Sequence, residues 1–96
     1  TNAAQNVLSK LFNRYLGIIS RISIDSLMRE ELKPIEIMIY ESLEVIEDCE
    51  LQSQSIRLGY VQGVIAAKGL INVDEERAFS RPLLHSLHDQ PIASFP

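Results

Sequence analysis

The residues that chemistry most often recruits are sparse in this chain and poorly spaced for it. His85 and His88 stand three apart in "HSLHD", with Asp89 adjacent. Two imidazoles at that spacing on a helix can reach one zinc ion, but a zinc site needs at least a third protein ligand. Cys49 is the sole cysteine, and its place on an apolar stripe turns it inward as a small core residue. The histidine pair would also suit a proton-linked switch, although nothing in the sequence requires one. "RLGYVQGVIAAKGL", residues 57–70, superficially suggests a phosphate loop. That motif needs G-x-x-x-x-G-K followed by Ser or Thr, after a strand. Here Gly59 and Gly63 are four apart, Lys68 precedes Gly69, and Leu70 follows. No serine sits in a nucleophile elbow and no Cys–His constellation is recognisable. The sequence therefore assigns no catalytic, cofactor-binding or metal-binding residue, and a non-enzymatic role is expected.

The glycines of that stretch need another explanation. A glycine inside a helix costs about 1 kcal/mol relative to alanine. Gly59, Gly63 and Ala67 recur at i, i+4 and i+8. On a helix they form a shallow groove that lets another backbone come close, as small-residue faces do in membranes. In water the hydrophobic effect would drive the approach. Leu58, Val61 and Ile65 make the opposite side apolar as well, and a helix apolar nearly all round is expected at the centre of a bundle. The groove's partner is a helix of the same chain, such as the Gly17 side of the first helix, or the same helix of a second copy in a homodimer.

Charge is unevenly spread. Residues 1–33 carry +2, residues 34–50 hold six acids and no base, and the remainder is balanced. Glu36, Glu41, Glu44, Glu47 and Asp48 share one face of a helix drawn over 34–50, and Ile37 and Tyr40 lie within the same acidic arc. A solvated face has no need of apolar residues, whereas a protein-binding face commonly has them. Glu36, Ile37, Tyr40, Glu44, Glu47 and Asp48 are thus the expected partner-binding residues, with the partner an unidentified protein. Two alternatives remain. The carboxylates could imitate nucleic-acid phosphates and occupy a basic nucleic-acid-binding site. Or Lys10, Asn13, Arg14 and Arg21, on one side of the first helix, could contact phosphates in a small DNA-binding regulator. Net acidity disfavours nucleic acid as a partner.

The elements that must position these residues are helices. Val7, Leu8, Leu11, Phe12, Tyr15, Leu16, Ile18, Ile19 and Ile22 give residues 3–22 a strong helical period. Ser23 or Asp25 can cap a short continuation through Leu32. Pro34 disfavours helix at Lys33 and then suits the first turn of a helix over 34–50. "QSQS", 52–55, reads as a polar connection, with Ser53 or Ser55 capping the next helix, which ends near Lys68. Gly69 follows as a C′ residue. Asn72 and Glu75 have capping-box spacing for a helix near 73–81, with a break at Ser80 and Pro82 and one more turn. The expected fold is all-α: an irregular bundle of four to five helices over 1–88, and an extended C-terminal tail over 89–96 that carries Ile92 and Phe95.

The remaining bounds are coarse. Ninety-six residues make one domain, and 46% hydrophobic content is that of a folded chain. The longest charge-free apolar stretch, 58–67, is too short to span a bilayer, and no membrane partner is expected. A single cysteine fits a reducing compartment. The first ten residues lack a signal peptide's apolar centre, so a cytoplasmic location is expected.

Overall fold

Five helices follow one another along residues 2–88, the part of the chain that the computed structural model describes, with side chains as far as Leu83. They are α1 (Ala3–Ser20), α2 (Leu27–Glu31), α3 (Lys33–Glu44), α4 (Leu51–Ala67) and α5 (Val73–His88). Among the described residues there is no strand, and the all-α class stands. The side chains of His85 and His88, and the tail 89–96, lie outside the described residues.

The bundle is built around α1. Leu8, Leu11, Phe12, Tyr15 and Ile19 are fully buried along it, and α1 packs against α3, α4 and α5. Its start is set by a capping box. Asn2 Oδ1 accepts the Gln5 backbone N–H at 2.8 Å, and Gln5 Oε1 accepts that of Asn2 at 2.8 Å. Ser26, rather than Ser23 or Asp25, caps α2, its Oγ accepting the Arg29 N–H. Leu32 is fully buried at the joint between α2 and α3. Pro34 occupies the second position of α3, where a missing N–H costs nothing. Ile35, Ile39 and Ser42 form the buried side of α3.

The end of α3 and the start of α4 differ from expectation, for one electrostatic reason. The helix drawn over 34–50 stops at Glu44, and Val45–Asp48 form a turn closed by Asp48 N–H to Val45 O, 2.9 Å. Carboxylates at a helix C-terminus oppose its dipole, and no base stands in the last turn of α3 to offset them. Glu47, Asp48 and Glu50 instead precede α4, whose N-terminus favours negative charge. Accordingly α4 starts at Leu51, with Glu50 at its N-cap, and residues 52–55 are its first turns rather than a connection. Ser53 and Ser55 cap nothing, and Gln54 is fully buried.

The other end of α4 matches its reading in detail. Gly69 adopts φ +73°. Its N–H bonds Ala66 O at 2.9 Å, and the Leu70 N–H bonds Ile65 O at 3.2 Å, which together make a Schellman motif. Asn72 Oδ1 then accepts the Glu75 N–H at 3.0 Å. The helix that follows runs through Pro82 to His88 without the expected break.

Placement of α4 at the centre is overturned. Gln54, Leu58, Val61 and Ile65 face the core, while Gly59, Gly63 and Ala67 face outward. A Cβ added at Gly59 or Gly63 would have no neighbour within 4 Å. The glycines therefore admit no close helix of the same chain among the described residues. Gly63→Ala should raise subunit stability by about 1 kcal/mol, because only the helix-propensity term changes. Urea unfolding of the two chains, at a dilution where both sediment as monomers, is the check, and a loss of stability there would contradict a face open within the subunit.

Candidate functional site

On α3 the expected partner face divides. Ile37, Tyr40, Glu41 and Glu44 fall within an arc of about 100° at helical spacing. Ile37 is 51% and Tyr40 57% exposed, and Glu41 and Glu44 are exposed beside them. Glu36 stands off this arc: its Oε2 accepts from Arg29 Nη2 at 3.1 Å. Arg29 also donates Nη1 to Ile22 O at 3.0 Å, so the pair ties the α1–α2 loop to α3. Glu47 and Asp48 are exposed, but they lie on the turn after the helix. Four of the six expected residues are thus on α3, and three of those, Ile37, Tyr40 and Glu44, share one stripe. Cys49, expected in the core, is only half-buried.

The second open face lies on α4. Ile56 is 67% and Tyr60 49% exposed, next to Gly59, Gly63 and Ala67. Gly63 also borders a groove of about 170 Å³ between α4 and α5, with Ala66, Val73, Arg77 and Ser80 along it.

The basic strip does not stay together as a phosphate-binding surface. Lys10 and Arg21 are exposed, and Asn13 Nδ2 donates to Ser9 O at 2.9 Å. Arg14 is exposed as well, but its guanidinium is turned onto α5. It grips the Glu76 carboxylate with Nε at 3.2 Å and Nη2 at 3.0 Å, and its guanidinium lies over the Phe79 ring, 4.0 Å from the centroid. Forked arginine–carboxylate pairing and stacking on an aromatic face are both strong uses of this side chain.

That contact belongs to a network which periodicity alone does not reveal. Glu76 is 5% exposed. The Tyr15 hydroxyl donates to Glu76 Oε1 at 2.5 Å, and Gln62 Nε2 donates to Tyr15 Oη at 2.8 Å. One buried carboxylate thereby joins α1, α4 and α5. The available signals were a tyrosine on the core stripe of α1, whose hydroxyl needs a partner when buried, and a glutamine interrupting the apolar run of α4. Their pairing depends on the tertiary arrangement. Burial first, and then the hydrogen bond to Glu76, push the Tyr15 hydroxyl well above its ordinary range near 10. The hydrogen bond to Glu76 likewise raises Arg14. Both shifts hold Tyr15 and Arg14 in the protonated forms that make these hydrogen bonds.

Among the described residues no helix is long and apolar enough to cross a membrane. Comparison with known proteins finds no matching family, no similar characterised protein and no similar solved structure.

Glu76→Ala should cost about 2–3 kcal/mol, since it leaves the buried Tyr15 hydroxyl without its acceptor and Arg14 without its partner. Tyr15 gives a pH signature. Its pKa is raised on folding, so the stability it contributes is fully present below about pH 10 and is lost as pH rises beyond that. The loss for one proton is about 1.4 kcal/mol per pH unit. Urea unfolding at stepped alkaline pH should show this decline, and Tyr15→Phe should remove that part of the slope.

Proposed function

We propose that this chain is a non-enzymatic protein–protein interaction module that binds an unidentified protein partner through the outer face of α3. The carrying observation is the exposure of Ile37 and Tyr40 on the same stripe as Glu41 and Glu44. Two large apolar side chains stand in water where the helix has a separate, filled inner face of Ile35 and Ile39. Aromatic anchors set among charges are the usual centre of a binding patch, the charges setting rate and selectivity. The engagement of Arg14 by Glu76 removes the middle of the basic strip and counts against the DNA-binding alternative.

The same proposal includes self-association, with α4 facing its counterpart in a second copy across Gly59, Gly63 and Ala67. Among the described residues no same-chain neighbour lies against Gly59 or Gly63, which suits such an approach, and Ile56 and Tyr60 flank this face with apolar area.

Affinity capture from the native host extract, with nuclease present, tests the first part. Tyr40→Ala should reduce capture more than tenfold, about 1.4 kcal/mol. Glu44→Lys with Asp48→Lys should mainly slow association, less so at high salt. Both variants should fold normally, and undiminished capture by Tyr40→Ala would refute the α3 face. Sedimentation equilibrium tests the second part. Gly63→Leu has open space within the subunit and should shift the mass to that of a monomer, whereas an unchanged oligomer would exclude the glycine seam.

A further inference from the structure

Glu41 and Glu44 stand in the last turn of α3 with their charges unmet. No base lies in that turn, and the carbonyl end of a helix is itself negative. Elsewhere in the molecule Glu31 is answered by Lys68, Glu36 by Arg29 and Glu76 by Arg14. Neither Glu41 nor Glu44 has an ion pair or a side-chain hydrogen bond among the described residues. Arg57 borders the same cleft as these two acids, but its Nη1 is turned toward Ser42 Oγ, 3.5 Å away. Asp48, on the turn that follows, is exposed as well. Negative potential is thus concentrated beside the exposed Ile37 and Tyr40, at a helix end that opposes it.

We infer that the segment this face receives is a basic amphipathic helix of the partner, with Lys or Arg beside its apolar stripe. The inference rests on the outer face of α3 being the partner site, and it adds the chemistry of what binds there. Backbone geometry selects a helix. A docking strand gains its affinity from main-chain bonds to a sheet edge, and α3 offers no such edge. A helix laid along α3 instead repeats the spacing of Ile37, Tyr40, Glu41 and Glu44. Charge then selects the composition. A base brought to Glu41 and Glu44 gains from both carboxylates and from the helix end, whereas an acidic or neutral segment would cover them unmet. Lys33, exposed one turn before Ile37 on the same stripe, gives the face the opposite sign at its start. The partner's bases therefore belong at the end that meets Glu44 and Asp48.

The probes are a helical leucine–lysine peptide of about four turns and the same peptide with glutamate for every lysine. Titrated at low salt into the full chain, the lysine peptide should bind saturably and the glutamate peptide should not. Glu41→Gln with Glu44→Gln should weaken the lysine peptide about tenfold, and added salt should shrink that difference. Tyr40→Ala should weaken it by about the same factor. Asp25→Asn with Glu30→Gln removes as much charge, beside the exposed Ile24 and Leu27, and should leave binding unchanged. Without peptide, the Glu41→Gln, Glu44→Gln chain should unfold at a higher temperature than the unaltered one, since two charges opposing the α3 dipole are gone. The basic helix is overturned if the lysine peptide fails to bind, or if the glutamate peptide binds as well. It is also overturned if the Asp25, Glu30 change weakens binding equally, since net charge alone would then be the attraction. A lower unfolding temperature for the Glu41, Glu44 variant overturns it too, because those carboxylates would already be satisfied within the chain. Native capture separates these outcomes from failure of the face itself. Capture lost in Tyr40→Ala alongside any of them leaves the α3 face standing and removes the basic helix, whereas normal capture by Tyr40→Ala removes both.

Discussion

A buried carboxylate determines where the last helix goes. The Glu76 oxygens are largely shut off from water and need partners, and Arg14 and Tyr15 supply them from successive positions of α1. Gln62 extends the bonding to α4. Among the described side chains of α5, Ser80 is the other buried one, and Leu83 packs at the edge of the core. Over 73–83, α5 is thus held mainly by polar contacts of one geometry, whereas α1, α3 and α4 share an aliphatic and aromatic core. A hydrophobic contact tolerates sliding, but the Arg14 fork and the Tyr15 hydroxyl do not. Replacing such a cluster with apolar residues can be neutral or even stabilising elsewhere. Its contribution here is the register of α5, with attraction between charges as the means.

Local signals were legible where the chain's own backbone chemistry acts. Pro34 marked the start of α3, and Gly69 marked the end of α4 because a left-handed residue was required there. Asn72 capped α5 as its spacing implied. The core stripe of α1, from Leu8 to Ile19, was readable because its period has no competing face. Signals failed where two readings had similar local merit. Val45, Ile46 and Cys49 continue the period of α3, yet the carboxylates crowding its C-terminus favour a turn. Ser53 and Ser55 look like caps, but the acids before Leu51 suit the helix start better. Glycines in α4 suggested a buried helix, because sequence shows what a small residue permits and not whether a neighbour uses it.

The candidate partner face was legible in part for the same reason. Ile37 and Tyr40 could be placed among acids by arithmetic on one helix. Glu36 could not be excluded from that face without Arg29, which reaches it from α2 across a bend. The Glu76 network needs three elements to meet and leaves no one-dimensional trace.

The exposure of Ile37 and Tyr40 itself requires an explanation, because α3 carries large apolar residues on two opposite sides. Ile35 and Ile39 fill the core while Ile37 and Tyr40 stand in water. By hydrophobicity alone, a half-turn rotation of α3 would exchange one aliphatic pair for an aliphatic–aromatic one, so burial does not fix the phase strongly. Polar contacts break the tie. Ser42 is buried with its carbonyl accepting from Gln54 Nε2 of α4. Glu36 on the flank is held by Arg29. Rotating the helix would break both anchors and would carry the exposed Glu41 and Glu44 carboxylates toward the core, where unpaired charge is far costlier than an exposed isoleucine. Polar anchoring thus keeps an apolar pair facing outward, which hydrophobicity alone would not require.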